Sequence, residues 1–169
     1  MLFKVNDVVV HEVYGVGKVT GIEELSWKKP ACTRYYVVMI GDAKIWVPIE
    51  NEEESHLRPI TPKKDLPSYR EIFRETPSKL DTSRFGRTSY IQESKKHTSF
   101  RALCETVRDL TSHSQSRKLA NHETMFLQRV TRQLVEEWAL SAQIPMEQAQ
   151  GEIDELLGDV PQLPVAITE

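Results

Sequence analysis

The chain has 169 residues, of which 39% are hydrophobic, 8% aromatic and 28% charged, enough for one compact domain or two small ones with modest cores. No apolar run approaches the roughly 20 residues that cross a bilayer, and the opening Met1-Leu2-Phe3-Lys4-Val5-Asn6-Asp7 lacks a signal-peptide plan. A membrane span is excluded on this reading, and secretion is not expected. Cys32 and Cys104 are too few and too far apart for a disulfide scaffold, and are expected as reduced, buried small residues of a cytoplasmic protein.

The formal net charge of −3 conceals an uneven distribution. Residues 1–62 carry 7 Lys/Arg against 9 Asp/Glu, residues 63–133 carry 15 against 8, and residues 134–169 carry none against 8. A basic middle of net +7 thus lies between a mildly acidic head and an acidic end. Screening confines electrostatic attraction to about 10 Å at ordinary salt, so a polyanion would engage the middle alone.

Taken in chain order, the first sixty residues carry a strand texture. Segments 8–10, 17–24, 33–40, 43–48 and 57–60 are short, β-branched or aromatic, and separated by turn chemistry such as Gly15-Val16-Gly17, Lys28-Lys29-Pro30 and Gly41-Asp42. Five strands this short cannot make a sandwich. They suit a small, strongly bent, barrel-like sheet that hides part of its edge by closing on itself.

Residues 61–82 read as a joint punctuated by Pro62, Pro67 and Pro77, with a short helix over 68–75 capped by Ser68 and boxed by Glu71. The period then becomes helical. Helices are expected over 85–96, over 99–113 with Leu103, Val107 and Leu110 as its stripe, over 121–142, and over 146–157 between Pro145 and Gly158. In 121–142, Met125, Leu127, Val130, Leu134, Val135, Trp138 and Ala139 crowd one side, with Asn121 as cap and Thr124 at the box position. Residues 160–169, with Pro161 and Pro164, read as a frayed tail. The expected class is α+β: a five-stranded module over 1–62, a linker with a short helix over 63–82, an all-α bundle of about four to five helices over 83–158, and a flexible acidic tail over 159–169.

Catalytic constellations are missing. The sequence holds no phosphate loop, no Gly-x-Ser-x-Gly elbow and no His-Glu-x-x-His helix. The histidines His11, His56, His97, His113 and His122 are scattered and fit no zinc spacing, and the run Glu50, Glu52, Glu53, Glu54 reads as a solvated loop. No enzyme, metal or cofactor is expected, nor a small-molecule substrate.

Binding features are stronger. In Lys44-Ile45-Trp46-Val47-Pro48, strand alternation puts Ile45 and Val47 on one face and Trp46 on the other, where an exposed indole is a candidate interface anchor. Trp27 in its loop is a second candidate. Further on, Arg84-Phe85-Gly86-Arg87 sets an aromatic among cations, and Tyr90, Lys95 and Lys96 follow. Cations hold phosphates, and an apolar ring beside them can wedge into an opened base step or the minor groove. The plainer alternative makes Phe85 and Tyr90 core and the arginines solvated. Arg101, Arg108, Arg117, Lys118, Arg129 and Arg132 add positive charge along the next helices.

The string Phe3-Lys4-Val5-Asn6-Asp7-Val8-Val9-Val10, then Gly15-Val16-Gly17-Lys18-Val19, Tyr35-Tyr36-Val37-Val38, Val47-Pro48-Ile49-Glu50-Asn51 and Leu57-Arg58-Pro59-Ile60 resembles the CarD/CdnL family of bacterial transcription regulators. Their first module is shared with the RNA-polymerase-interacting domain of the transcription-repair coupling factor. Val107-Arg108-Asp109-Leu110, Lys118-Leu119, Glu123 and Leu134-Val135-Glu136-Glu137-Trp138-Ala139-Leu140 extend the likeness through residue 157. The resemblance implies a Tudor-like (SH3-like) barrel that docks on the β subunit of RNA polymerase; the docking set expected here is Lys44, Ile45, Trp46, Val47, Pro48 and Trp27. It also implies a helical domain that contacts promoter DNA at the upstream edge of the transcription bubble, non-specifically and in a salt-sensitive way. There an aromatic wedges into the minor groove and stabilises the open complex; the DNA-facing set here is Arg84, Phe85, Arg87, Tyr90, Lys95, Lys96 and Lys118. Three departures stand out: His11-Glu12-Val13-Tyr14-Gly15 in place of Tyr-Pro-x-His-Gly, Trp46 where a basic residue is common, and Phe85 at or beside the wedge tryptophan. The expected protein is a cytoplasmic, nucleoid-associated regulator. The alternative is a protein-interaction adaptor that does not touch DNA.

Overall fold

The computed structural model describes residues 3–24, 34–49, 56–97 and 99–161. The chain divides into two compact units, Met1–Ile60 and Thr61–Glu169.

In the first unit, strands β1 (Val8–His11), β2 (Gly15–Glu24), β3 (Arg34–Ile40), β4 (Ala43–Pro48) and β5 (Leu57–Pro59) form one antiparallel sheet in the order β4-β3-β2-β1-β5. This is the expected small, bent five-stranded module, and its sheet is open. Its last strand has only three residues and commits all of them to β1, leaving β4 and β5 as edges among the described residues. The core is Val9, Val19, Tyr36, Val38 and Val47, with Phe3, Ile40, Ile45, Ile49 and Leu57 packed against it. At Gly17 a Cβ would come within 2.6 Å of Ile40 and 2.8 Å of Val38, so the absent side chain is what lets β2 lie this close over the core. A register shift between Val19 and Gly21 adds to the bend.

The second unit opens with a 3₁₀ turn (Lys63–Asp65). Helices α1 (Leu66–Ile72), α2 (Arg84–Ser94), α3 (Phe100–Ser116), α4 (Asn121–Ala142) and α5 (Met146–Gly158) follow. Helix α1 starts before the expected Ser68 because Pro67 fits a first helical turn, while the Ser68 hydroxyl donates to the Asp65 carbonyl. Residues read from sequence as a joint are part of the core: Leu66, Ile72, Phe73 and Leu80 pack with Phe100, Cys104, Val107, Leu110, Leu134 and Trp138. The inward row of α4 is Phe126, Val130, Leu134 and Trp138, at four-residue steps, so Met125 is left 69% exposed. Its cap also lies one residue earlier than expected. Ala120 is the N-cap, and the Glu123 carboxylate accepts the Ala120 N–H at 2.7 Å. Val160, assigned from sequence to the tail, is buried in the same core.

The first residue of this unit is tied to α4. Thr61 donates its N–H (3.1 Å) and its hydroxyl (2.7 Å) to Oε1 of the fully buried Glu137, and the Ser141 hydroxyl donates to the Thr61 carbonyl. Removing a donor from a buried carboxylate leaves desolvation uncompensated. Thr61→Val is expected to lower the stability of the helical unit by about 1–3 kcal/mol, read as a lower urea midpoint in circular dichroism at 222 nm. An unchanged midpoint would show that the Thr61 hydroxyl contributes nothing to the anchor.

Candidate functional site

Two surfaces gather the residues singled out from the sequence. On β4 the alternation holds: Val47 is buried, Ile45 packs against the sheet core, and Trp46 on the opposite face is 41% exposed. Pro48, which ends β4, is half-buried. Trp46 is not a loose ring. Its indole N–H donates to Glu23 Oε2 at 2.7 Å, while Lys44 Nζ lies 3.0 Å from Glu23 Oε1 and 4.8 Å from the indole centroid. Glu23 comes from β2, so the trio reaches over β3, with Glu23 opposite Tyr35 and Trp46 opposite Val37. The Trp46 N–H and then the Lys44 ammonium hold the Glu23 carboxyl below the ordinary glutamate value. Trp27 lies outside the described residues.

The second surface is the start of α2. The Ser83 hydroxyl caps it by accepting the Gly86 N–H at 3.0 Å, and Asp81 Oδ1 accepts the Ser83 N–H at 2.7 Å. A Cβ on Gly86 would overlap the Asp81 side chain, so a glycine is required there for close packing. Between these fixed residues Phe85 is 83% exposed, with no aromatic or cation–π ring contact among the described residues. Arg84 beside it is exposed and forms no ion pair among them.

Two of the expected DNA-facing residues turn inward. The Arg87 side chain is 13% exposed; its Nε donates to Glu123 Oε1 at 2.8 Å and its Nη1 to the Thr82 carbonyl at 2.6 Å. Tyr90 is half-buried and donates its hydroxyl to Asp109 Oδ2 at 3.2 Å; burial and the Asp109 charge push its pKa far above the ordinary tyrosine value. Lys96 pairs with Glu93 at 2.8 Å, and Lys95 Nζ sits 5.9 Å from the Phe126 ring. Lys118, in the connection from α3 to α4, is exposed and forms no ion pair among the described residues, as is true of Arg117. The Arg87–Glu123 pair sets the first turn of α2 against the first turn of α4, which that connection leads into. His113 faces the same cluster. Desolvation and then Arg87 lower its imidazole pKa, so it stays neutral at pH 7.

Several other cations of the basic middle are paired locally. Arg74 pairs with Glu71, Arg101 with Glu105, buried Arg108 with Asp109, and Arg132 with Glu136. Sequence reasoning assigned no role to Glu23 or Glu123. Glu123 carried a local signal, because a glutamate three residues past an N-cap is a box residue. Glu23 carried none, since its partners are 21 and 23 residues away.

A family profile described as the CarD-like/TRCF RID domain matches residues 3–61, and one described as the CarD C-terminal domain matches residues 70–154. The chain belongs to the CarD-like family. It is an RNA-polymerase-interacting transcription regulator, from a family of non-catalytic transcription factors. The Trp46 trio lies within the first matched region, and Arg84, Phe85 and Lys118 lie within the second. No helix among the described residues is long and apolar enough to cross a membrane.

Because the folded-state pKa of Glu23 is depressed, its bond to Trp46 persists through the ordinary glutamate range and is lost only as pH falls through the lowered value. Acid titration of tryptophan fluorescence is expected to show a step with its midpoint below 4.5, absent from Glu23→Gln. A step that survives in that variant would assign the titration to another group.

Proposed function

We propose that the β unit docks on the β subunit of RNA polymerase through the outer face of β4. On this reading the helical unit contacts promoter DNA at the upstream edge of the transcription bubble, and Phe85 wedges into the minor groove there and stabilises the open complex. The observation that carries the reading is the exposure of Phe85 on a helix start held by the bonds of Ser83, Gly86 and Arg87. An apolar ring held in water has no stabilising role in the unit itself; it gains by entering a gap between bases.

On this reading Arg84, next to Phe85 in the chain, and the unpaired Arg117 and Lys118 are the cations that would meet phosphates. Arg87 and Tyr90 are not, since Arg87 is occupied by Glu123 and Thr82, and Tyr90 by Asp109. Arg84, next to Phe85 in the chain, is exposed and forms no ion pair among the described residues, which favours DNA contact over a protein adaptor. Contacts of this kind carry little base information, so position on the promoter comes from the polymerase. Tethering to polymerase raises the effective concentration of the helical unit at DNA, and weak contacts then suffice. The protein would act in the cytoplasm, on the nucleoid, where polymerase is found.

Phe85→Ala is expected to leave polymerase association intact and to shorten open-complex lifetime, measured by competitor challenge of preformed complexes. An unchanged lifetime would remove Phe85 from the wedge role. Trp46→Ala is expected to weaken polymerase association by roughly 1–3 kcal/mol, as loss of an interface anchor does. Titration against polymerase with an intact affinity would move docking off β4.

A further inference from the structure

We propose that Arg87 and Glu123 are positioning residues for Phe85: their buried ion pair latches the start of α2 onto the start of α4 and holds the exposed ring at a fixed angle. The inference rests on the wedge reading given above.

Phe85 has no polar atom by which its own side chain could be tethered, and among the described residues it touches no other ring. Only its backbone can hold it. That backbone is fixed from both sides. Upstream, Asp81 accepts the Ser83 N–H, Ser83 caps the helix at Gly86, and the Thr82 carbonyl receives Arg87 Nη1. Downstream, Gly86 lies so close to the Asp81 side chain that a single methyl group would displace it. These contacts stiffen the turn, but all lie within α2 and the residues leading into it. The tie from this first turn to α4 is Arg87 Nε to Glu123 Oε1 at 2.8 Å, while Tyr90 and Ile91 hold α2 further along.

Glu123 is fully buried, and its two oxygens divide the work. Oε1 takes Arg87, and Oε2 takes the Ala120 N–H at the start of α4. One carboxylate thus caps α4 and anchors α2, so the angle between the two helix starts is set at this atom pair. The charge logic also separates this role from direct DNA contact. An arginine that serves phosphates keeps its guanidinium in water, whereas that of Arg87 is desolvated and its charge is matched by Glu123. Offering it to a phosphate would strand a buried carboxylate. A ring held in place before it meets DNA loses less freedom on insertion, which is where the latch contributes to complex lifetime.

The test uses the full chain with polymerase holoenzyme on a promoter, with open-complex lifetime after competitor challenge as the readout. Arg87→Lys keeps the charge but loses the fork that spans Glu123 and Thr82. Glu123→Gln removes the ion pair in an isosteric side chain, and Gly86→Ala disturbs the same turn from the opposite side without touching a buried group. Circular dichroism at 222 nm and polymerase association confirm that each variant is folded and docked. Each is expected to shorten the lifetime about three- to tenfold relative to the unaltered chain. In a Phe85→Ala background Arg87→Lys is expected to add less than about a twofold further loss, because a positioning residue has nothing left to position. Losses that multiply in the double variant would overturn the proposal and make Arg87 a DNA contact. A normal lifetime in folded Arg87→Lys and Gly86→Ala, with a shortened one in Phe85→Ala, would overturn the latch and leave the wedge standing. A normal lifetime in Phe85→Ala itself would overturn the wedge and the latch together.

Discussion

A carboxylate taken out of water must be matched by donors, and α4 carries two that are fully buried, Glu123 and Glu137. They stand fourteen residues apart, about 21 Å along the helix and within roughly 40° of one another around it. Each captures a stretch of chain that hydrophobic packing alone would leave loose. Glu137 takes the backbone and hydroxyl of Thr61, where the helical unit begins, and Glu123 takes Arg87 and the N–H of Ala120. A buried ion pair of this kind adds little net stability over an apolar pair, but breaking one partner costs several kcal/mol. What it gives in return is a unique arrangement: α4 is a spine with one polar anchor near each end.

The two exposed aromatics are held by different means, and the difference follows from their chemistry. Trp46 has an N–H, which Glu23 accepts, and a π-face, on which Lys44 rests. It is therefore oriented by its own side chain on a sheet that is already rigid. Phenylalanine offers no such handle. Its placement has to be built into the backbone, which accounts for the concentration of caps, close packing and ion pairing around residues 81–87.

Local signals carried most of the secondary structure, while long-range pairing was invisible. Alternation in 43–48 put Trp46 outside, and the four-residue apolar rhythm of 126–138 marked the buried side of α4, although Met125 was taken for part of it in place of Phe126. The start of α1 was misplaced because Ser68 satisfies a capping pattern that Pro67, one residue earlier, makes unnecessary. Residues 63–82 looked like a linker since their prolines are local, whereas the core that Phe73 and Leu80 enter is assembled from α3 and α4. Arg87 reads as a surface residue, and Tyr90 as either DNA-facing or core, for the same reason: Glu123 lies 36 positions from the one and Asp109 lies 19 from the other. The family resemblance supplied the order of the two modules, which propensity alone does not relate to a partner.

The net charge of +7 over residues 63–133 overstates what a polyanion would meet. Arg74, Arg101, Arg108 and Arg132 are matched by carboxylates a few residues away, and Arg87 by one across the unit. Arg84, Arg117 and Lys118 are exposed and form no ion pair among the described residues. If three phosphates are neutralised, the counterion relation gives a salt slope of roughly −2.7, so a fourfold rise in salt weakens binding only about fortyfold. Proteins that hold duplex DNA on their own make about twice to three times as many phosphate contacts. On the proposed reading, a surface this sparse would suit DNA that is already within reach, a condition that the polymerase-interacting module preceding it in the same chain would supply.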